Sequence, residues 1–304
     1  MGDSATQTEG AAAKGTVELC AGALRLALRA DLGGSIAGLW HQDTPILRST
    51  EPALLVGSRQ AACYPLVPYS NRLGNKRFRW QGRDHTTETN FDDNPHSVHG
   101  VGWLRPWDVV SHSAVEVVLR YCHAPDAHWP FAFEAQQKFS LTPHSLSVRM
   151  TTTNTADIAQ PVGLGWHPYF PKRERSQLRI EVSDRWEPDA TGLPVRQEAQ
   201  PGIEGAVAQM GFDHCFDGWV GEASIRDEKF SLRLTSNLSR LVETLEQGTE
   251  REIVIARNGK PAAKLVPLHS AAPGPRLGVA KGAFTVPEDI DQHNTEVAEL
   301  FQGR

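Results

Sequence analysis

Histidine, arginine and carboxylate side chains recur beside glycine, proline and aromatic residues in four short segments of this 304-residue chain. The segments read Tyr-Ser-Asn-Arg at 69–72, His-Gly-Val-Gly-Trp at 99–103, Gly-Trp-His-Pro-Tyr-Phe at 165–170 and Phe-Asp-His-Cys-Phe at 212–216. Because an imidazole titrates near neutral pH, it suits proton transfer to or from an oxygen atom. A guanidinium can span two adjacent hydroxyl groups. Together the segments predict a site for a polyhydroxylated ligand, with a histidine as the acid.

Five side chains are the candidate site residues. They are His167 and His99 for catalysis, and Arg72, Asn71 and Asp213 for substrate binding. His167 precedes Pro168, whose ring holds the preceding backbone extended. His99 precedes a glycine, which lets backbone and ligand approach closely. Two further residues, Trp103 and Trp107, are predicted to offer a flat apolar face to the C–H side of a sugar ring.

Each of these residues also has a structural explanation. A lone histidine in a β protein commonly makes hydrogen bonds within the fold, Arg72 can form a surface ion pair, and Asp213 can cap a turn. His96, His99 and His167 can alternatively be metal ligands, although no carboxylate or cysteine stands at a matching spacing. The co-occurrence of the four segments, in this order, favours the ligand site.

Composition excludes several classes of protein. The chain carries 31 Lys and Arg against 36 Asp and Glu, a net charge of −5, which argues against nucleic-acid binding. Its four cysteines form no CxxC pair and no zinc or disulfide pattern. Neither a leader peptide nor an apolar run of about 18 residues is found, so we predict no membrane contact. A cytoplasmic protein with reduced thiols is the resulting expectation.

Short alternating segments dominate residues 17–235, after a small, polar lead-in at 1–16 that we predict to be disordered. Strands are predicted at 24–28, 115–121, 133–141 and 146–151. Turn-forming residues separate them, and no amphipathic helix is evident. The fold class predicted is therefore mostly β, a large antiparallel sandwich.

The pattern changes after residue 236. Residues 238–245 carry apolar side chains at helical spacing. Two predicted strands, 252–257 and 262–268, then flank Asn258-Gly259, a strong hairpin signal. An acidic stretch follows at 287–302. We predict that residues 236–304 form a small α/β C-terminal segment.

The four segments, extended to 64–72, 98–103, 165–170 and 212–216, resemble the aldose 1-epimerase (galactose mutarotase) family over about residues 17–235. The family's fold is an antiparallel β-supersandwich. The resemblance implies an isomerase of carbohydrate metabolism that interconverts the α and β anomers of a sugar, with no metal and no cofactor. It implies that His167 protonates the ring oxygen, that His99 assists there, and that Arg72 and Asp213 grip the hydroxyl groups.

The resemblance also implies a catalytic base, which the family supplies as a glutamate followed by proline on a late strand. This chain has Glu-Pro pairs only at Glu51-Pro52 and Glu187-Pro188, both too early in the sequence to match. The domain at 17–235 is therefore predicted to lack its last strands, and the hairpin at 252–268 is expected to pair with its open edge.

Residues 236–304 instead resemble the Phd/YefM family of type II antitoxins, most distinctively at Ala-Arg-Asn-Gly-Lys-Pro, 256–261. This resemblance implies a toxin protein as partner, and a fusion of two reading frames near residue 236. Three functions are thus open: an aldose 1-epimerase-like enzyme acting on a free hexose or hexose phosphate, a non-catalytic carbohydrate-binding sandwich, and a fusion that binds a toxin. Lys76, Arg77 and Arg79 are the residues expected to meet a sugar phosphate.

Overall fold

The computed structural model describes residues 14–92 and 94–236 with their side chains, and the backbone of 253–257 and 260–265. Strands dominate. In chain order they are β1 (Thr16–Ala21), β2 (Leu24–Arg29), β3 (Ser35–His41), β4 (Thr44–Pro45), β5 (Cys63–Leu66), β6 (Arg72–Leu73), β7 (Arg77–Trp80), β8 (Arg83–Thr86), β9 (Ser97–Val98), β10 (Asp108–His112), β11 (Glu116–His123), β12 (Phe133–Thr142), β13 (Ser145–Asn154), β14 (Gly165–Pro168), β15 (Gln177–Ile180), β16 (Asp184–Pro188), β17 (Pro194–Ala199), β18 (Ile203–Ala206), β19 (Cys215–Asp217), β20 (Glu222–Arg226), β21 (Ser231–Thr235), β22 (Ile253–Arg257) and β23 (Lys260–Leu265).

Helical structure in the described residues consists of short 3₁₀ turns. They are Pro52–Leu54, Ser58–Gln60, Gly74–Lys76, Gly102–Leu104 and Val207–Gln209. All four strands predicted in the first 151 residues are present, as β2, β11, β12 and β13, with ends that differ by a few residues at most. The mostly β, antiparallel prediction is confirmed.

Four antiparallel sheets make up the sandwich. Their strand orders are β1-β2-β3-β5-β14, with β4 also on β3; β10-β11-β12-β13; β18-β15-β20-β21; and β17-β16-β19. Two small ribbons, β6-β9 and β7-β8, are added to these. Of these elements, β14, β6, β9 and β19 carry or flank the candidate site residues.

The main core lies between the first two sheets and arises from strict alternation of side chains. In β12, every second residue from Phe133 to Leu141 is buried, and Phe139 has no exposed surface. These side chains pack with buried leucines of β2 and β11 in one cluster. Burial of one face of each strand is the main stabilising contribution, at about 25 cal/mol for each Å² of apolar surface removed from water.

One buried polar residue in this core connects it to β14. Gln137, 1% exposed, donates from Nε2 to the carbonyl of Gly34 at 3.1 Å and accepts from the indole N–H of Trp166 at 3.1 Å. Because neighbouring side chains of a strand point to opposite faces, Trp166 packs against the core while His167 lines the cavity on the other face.

The C-terminal predictions fall largely outside the described residues, including the helix at 238–245 and the acidic stretch. The hairpin is confirmed, because β22 and β23 pair antiparallel around residues 258–259. The two strands form a two-stranded sheet of their own. In the described residues, the hairpin therefore does not pair with the edge of the sandwich, in contrast to the prediction.

Candidate active site

The β6-β9 ribbon brings the Asn-Arg and His-Gly segments together. Its register pairs Arg72 with Val98, which places Asn71 directly opposite His99. The N–H of His99 donates to the carbonyl of Asn71 at 2.8 Å, and the N–H of Asn71 donates to Nδ1 of His99 at 3.1 Å. Both residues have positive φ, +61° for Asn71 and +64° for His99. Gly100 is required next to them, because a Cβ there would lie 2.2 Å from the carbonyl oxygen of Val67.

His99 is a neutral hydrogen-bond donor in this arrangement. A backbone N–H can only donate, so Nδ1 of His99 must be the unprotonated acceptor and its proton resides on Nε2. Burial, and then the charges of His167 and Arg72, lower the pKa of His99 to about 3. The side chain can therefore donate from Nε2 to a ligand oxygen, but its basic lone pair is already engaged.

Arg72 lines the cavity without a carboxylate partner among the described residues. Its Nη1 donates to Oδ1 of Asn71 at 3.3 Å, while its Nε is buried with no hydrogen-bond partner in that part of the chain. Gly192 lies against the guanidinium, since a Cβ there would be 3.2 Å from Nη2. A charged fork with unused donors suits the recognition of two neighbouring hydroxyl groups.

His167 is placed by β14 opposite Tyr64 of β5. The rings of Tyr64 and Tyr169 pack against its ring, with centroids 4.9 and 4.6 Å away, and their own centroids are 6.2 Å apart. The centroid of the His99 ring is 5.3 Å away. Nδ1 of His167 is buried without a hydrogen-bond partner in the described residues, which leaves Nε2 as the nitrogen that can reach the cavity. Burial lowers the pKa of His167, and the positive charge of Arg48 lowers this pKa further.

Asp213 and Cys215 approach the same cavity from the other half of the sandwich. Asp213 is exposed, and its N–H donates to Nδ1 of His214. Cys215 begins β19 and accepts from Nδ2 of Asn71 at 3.0 Å. The side-chain amide of Asn71 therefore makes two hydrogen bonds: Oδ1 accepts from Arg72, and Nδ2 donates to Cys215. These bonds hold the Asn71 side chain at the cavity, and its role in binding substrate stays a prediction.

All five predicted site residues line one cavity of about 1280 Å³. The cavity is also lined by Tyr64, Tyr169 and Trp186, which the sequence did not single out as site residues. The signal for Tyr169 was its spacing of two residues from His167, since side chains two apart share a face of a strand. Tyr64 had no comparable signal, because only the pairing of β5 with β14 brings it to His167.

The prediction that Trp103 and Trp107 offer a flat apolar face to a sugar ring is wrong. Both indoles are 4% exposed, and their N–H groups donate to the backbone carbonyls of Val98 and Gly102. Their surroundings are apolar, since Trp107 packs in the main core and Trp103 packs beside Tyr64. These two residues are therefore structural.

The metal alternative also has no geometric support. His96 is 1% exposed, accepts at Nδ1 from the N–H of Asn75, and has Nε2 2.8 Å from the hydroxyl of Thr191. Both of its ring nitrogens are therefore committed to the fold. Across residues 14–92 and 94–236, no three His, Cys, Asp or Glu side chains are grouped to hold a metal ion.

Two of the three basic residues expected to meet a phosphate already hydrogen-bond other side chains. Arg79 lines the cavity, but its Nη1 donates to both carboxylate oxygens of Asp84, at 3.0 and 3.2 Å. Lys76 donates to the hydroxyl of Thr89 at 3.3 Å. Arg77 is an exposed residue of β7.

The glutamates of the two early Glu-Pro pairs accept hydrogen bonds from arginines. Glu51 accepts from Arg25. Glu187 accepts from Nε of Arg185 at 2.6 Å, and this bond lowers the pKa of Glu187. Neither glutamate is among the residues that line the cavity.

A neutral histidine donor, a second histidine and an arginine with no carboxylate partner in the described part of the chain thus line one cavity in an antiparallel β-sandwich. A family model described as aldose 1-epimerase matches residues 15–242. This chain belongs to the aldose 1-epimerase family. Its relative YphB, an uncharacterised protein of Escherichia coli K12, is 33% identical over 210 residues, which cover 67% of this chain and 70% of that protein.

Solved structures of aldose 1-epimerase relatives share this fold. The 1.59 Å crystal structure of a candidate aldose 1-epimerase from Escherichia coli K12 is 31% identical, with a TM-score of 0.65 over 70% of this chain and 74% of that one. A galactose mutarotase-like protein from Clostridium acetobutylicum has a TM-score of 0.58 at 18% identity, over 70% of this chain and 74% of that one. The galactose mutarotase-like supersandwich predicted for residues 17–235 is therefore confirmed.

The C-terminal antitoxin resemblance finds no support in these comparisons, and neither does the toxin partner that it implies. The family match ends at residue 242, close to the change of pattern in the sequence. Within the described residues, no helix is both long and apolar enough to cross a membrane.

Proposed function

We propose that this protein is an aldose 1-epimerase that interconverts the α and β anomers of a free hexose or hexose phosphate. The observation that carries the proposal is that His167, His99, Arg72 and Asp213 line a single cavity. Of the two substrates, a free hexose fits better, because Arg79 and Lys76 hydrogen-bond Asp84 and Thr89.

The reaction needs one acid and one base acting on the same ring. The imidazolium of His167 gives a proton to the ring oxygen, while a base removes the proton of the anomeric hydroxyl. The bond between the anomeric carbon and the ring oxygen then breaks, which leaves an aldehyde. Rotation about the next carbon–carbon bond and the reverse steps return either anomer, and the two protons are restored.

The remaining residues hold the sugar during these steps. His99 donates from Nε2 to an oxygen near the breaking bond, since its Nδ1 is engaged with Asn71. Arg72 spans two adjacent hydroxyl groups with its free donors. Asp213 accepts hydrogen bonds from sugar hydroxyls, which selects among stereoisomers.

The base is the part that decides between an enzyme and a binding protein. Among described residues, the carboxylates that line the cavity are Asp213 and Asp217. Asp217 accepts from the indole N–H of Trp186 at 2.5 Å. The second candidate function, a non-catalytic carbohydrate-binding sandwich, follows if neither carboxylate reaches the anomeric hydroxyl.

Polarimetry of freshly dissolved α-D-glucose and α-D-galactose tests the proposal with the purified full-length chain. We expect faster mutarotation that falls by about 10²- to 10⁴-fold in His167→Ala and is kept in His144→Ala, which removes an exposed histidine of the β12-β13 turn. Glucose 6-phosphate, measured in parallel, decides the substrate class. No acceleration by a folded protein that binds galactose in calorimetry would replace the enzyme by the binding function.

A further inference from the structure

His167 packs against two aromatic rings that also contact each other. The Tyr64 ring lies at 4.9 Å and 20° and the Tyr169 ring at 4.6 Å and 29°, so both stack on the imidazole, and the centroids of the two tyrosine rings are 6.2 Å apart. No side chain among the described residues hydrogen-bonds Nδ1 of His167. A histidine that transfers protons is commonly oriented by a group that hydrogen-bonds its second nitrogen. The stacked rings of Tyr64 and Tyr169 are side-chain contacts that can orient His167 instead.

Tyr64 is close to His167 through strand pairing, whereas Tyr169 is close to it in the sequence. Tyr64 is its cross-strand partner in the β5-β14 register, where directly opposed side chains lie about 5 Å apart. Tyr169 is two residues further along the same chain direction, and its N–H donates to the carbonyl of Ala62 at 2.9 Å. The tyrosine hydroxyl oxygens are 3.4 Å apart, so a hydrogen bond joins the two rings.

Each tyrosine ring has a further neighbour besides His167. The guanidinium of Arg48 lies 3.7 Å from the centre of the Tyr169 ring and donates to the carbonyl of Ala61 at 2.7 Å. The buried indole of Trp103 lies 5.6 Å from the Tyr64 ring. The rings that pack against His167 are therefore themselves held in place.

We propose that Tyr64 and Tyr169 are positioning residues, which orient the His167 imidazole towards the ring oxygen of the sugar through their faces. The catalytic part of this inference depends on the proposed function, but the orienting contact itself does not. The faces of the rings also carry a negative quadrupole, so they can accommodate the imidazolium that acts as the acid.

Kinetics of matched variants test the catalytic part. Tyr64→Phe and Tyr169→Phe keep the rings, whereas Tyr64→Leu and Tyr169→Leu remove them. We expect the leucine variants to lose about 10- to 100-fold in kcat, as small misplacements of a reacting group do, with KM changed by less than about 3-fold. The phenylalanine variants should retain kcat. Equal losses in phenylalanine and leucine variants would overturn the role of the ring faces.

A double variant separates positioning from general damage to the fold. Adding Tyr169→Leu to His167→Ala should lower the rate no further, because the residue to be positioned is already gone. A further loss in that background would show a role unrelated to His167. Tyr169 is only half-buried, so Tyr169→Leu remains informative if the variant at the buried Tyr64 fails to fold.

Proton NMR of the His167 ring tests the orienting contact without turnover. Stacking on aromatic faces shifts the imidazole protons upfield, and His167→Ala assigns their signals. We expect the upfield shift to persist in the phenylalanine variants and to be lost in the leucine variants. An unchanged shift in a folded leucine variant would overturn the proposal. A wild-type chain that shows the shift but no mutarotase activity would instead overturn the proposed function alone.

Discussion

The backbone N–H of Asn71 donates a hydrogen bond to Nδ1 of His99, at 3.1 Å. This one bond determines the chemistry of His99, because it holds the neutral ring with its proton on Nε2. The same bond depends on the positive φ of both residues and on the β6-β9 register. A loop-to-loop contact thus turns a titratable side chain into a fixed donor.

The first prediction concerns stability against acid. The pKa of His99 is about 3 in the folded chain and about 6.5 in an unfolded one. Between these values only the unfolded state binds the proton, so the free energy of unfolding falls as pH falls through this window. We expect His99→Asn to reduce the slope by up to about 1.4 kcal/mol per pH unit, measured by urea unfolding at pH 4 to 6.

Asparagine is the informative replacement at this position. It tolerates positive φ and can keep an acceptor for the N–H of Asn71, while it removes both the titrating group and the Nε2 donor. Sugar binding should therefore weaken although the fold is retained. An unchanged pH slope would mean that His99 is protonated in the folded protein.

The second prediction concerns Gly192, which lies against Arg72. A Cβ at Gly192 would stand 3.2 Å from Nη2 of Arg72, at a φ of +81°. We expect Gly192→Ala to displace the guanidinium and to weaken galactose binding about 10-fold, the loss of one hydrogen bond to a charged group. Isothermal titration calorimetry with Arg72→Met as a reference measures this effect.

Gly82→Ala is the matched control for Gly192→Ala. Gly82 has nearly the same φ, +79°, but a Cβ there would meet nothing within 4 Å. Both alanines should cost about 1–2 kcal/mol of stability through the left-handed backbone. Only Gly192→Ala should affect the sugar. Equal weakening by both variants would show that strain, and not the contact with Arg72, is responsible.

The third prediction concerns the pH dependence of catalysis. The charge of Arg48 contributes to the lowered pKa of His167, after burial. Because the proposed acid is the imidazolium of His167, the rate should fall as pH rises through this pKa. Arg48→Met removes the charge, so we expect the pKa of His167 to rise and the falling limb of kcat/KM to move to higher pH. A profile that moves to lower pH would contradict this assignment.

The fourth prediction concerns the thiols. Cys20 is exposed, Cys215 lines the cavity, and burial raises the pKa of Cys63 to about 12. Because the thiolate is the reactive form, iodoacetamide should label Cys20 readily, Cys215 slowly and Cys63 only on unfolding. Saturating galactose should slow the labelling of Cys215 but not of Cys20, as followed by peptide mass spectrometry. Equal labelling of Cys215 with and without a bound sugar would place the ligand elsewhere.

The sequence by itself determined the class of fold and which polar residues line the cavity. Alternation with period two is a local property, so β12 could be predicted from Phe133 to Leu141 with nearly its observed ends. His167, His99 and Arg72 could be predicted because their neighbours, proline, glycine and asparagine, restrict the backbone in ways that suit a site.

Only the tertiary structure decided what each of these side chains does. The roles of Trp103 and Trp107 were mistaken because an indole has the same appearance in a sequence whether it is a platform or core, and burial depends on which sheet covers it. Pairing between strands that are distant in the sequence decides these features. The β6-β9 pairing sets the tautomer of His99 and the hydrogen bonds of Asn71, and the β5-β14 pairing stacks Tyr64 on His167. Such pairing depends on register, and register is set by the packing of the whole sandwich.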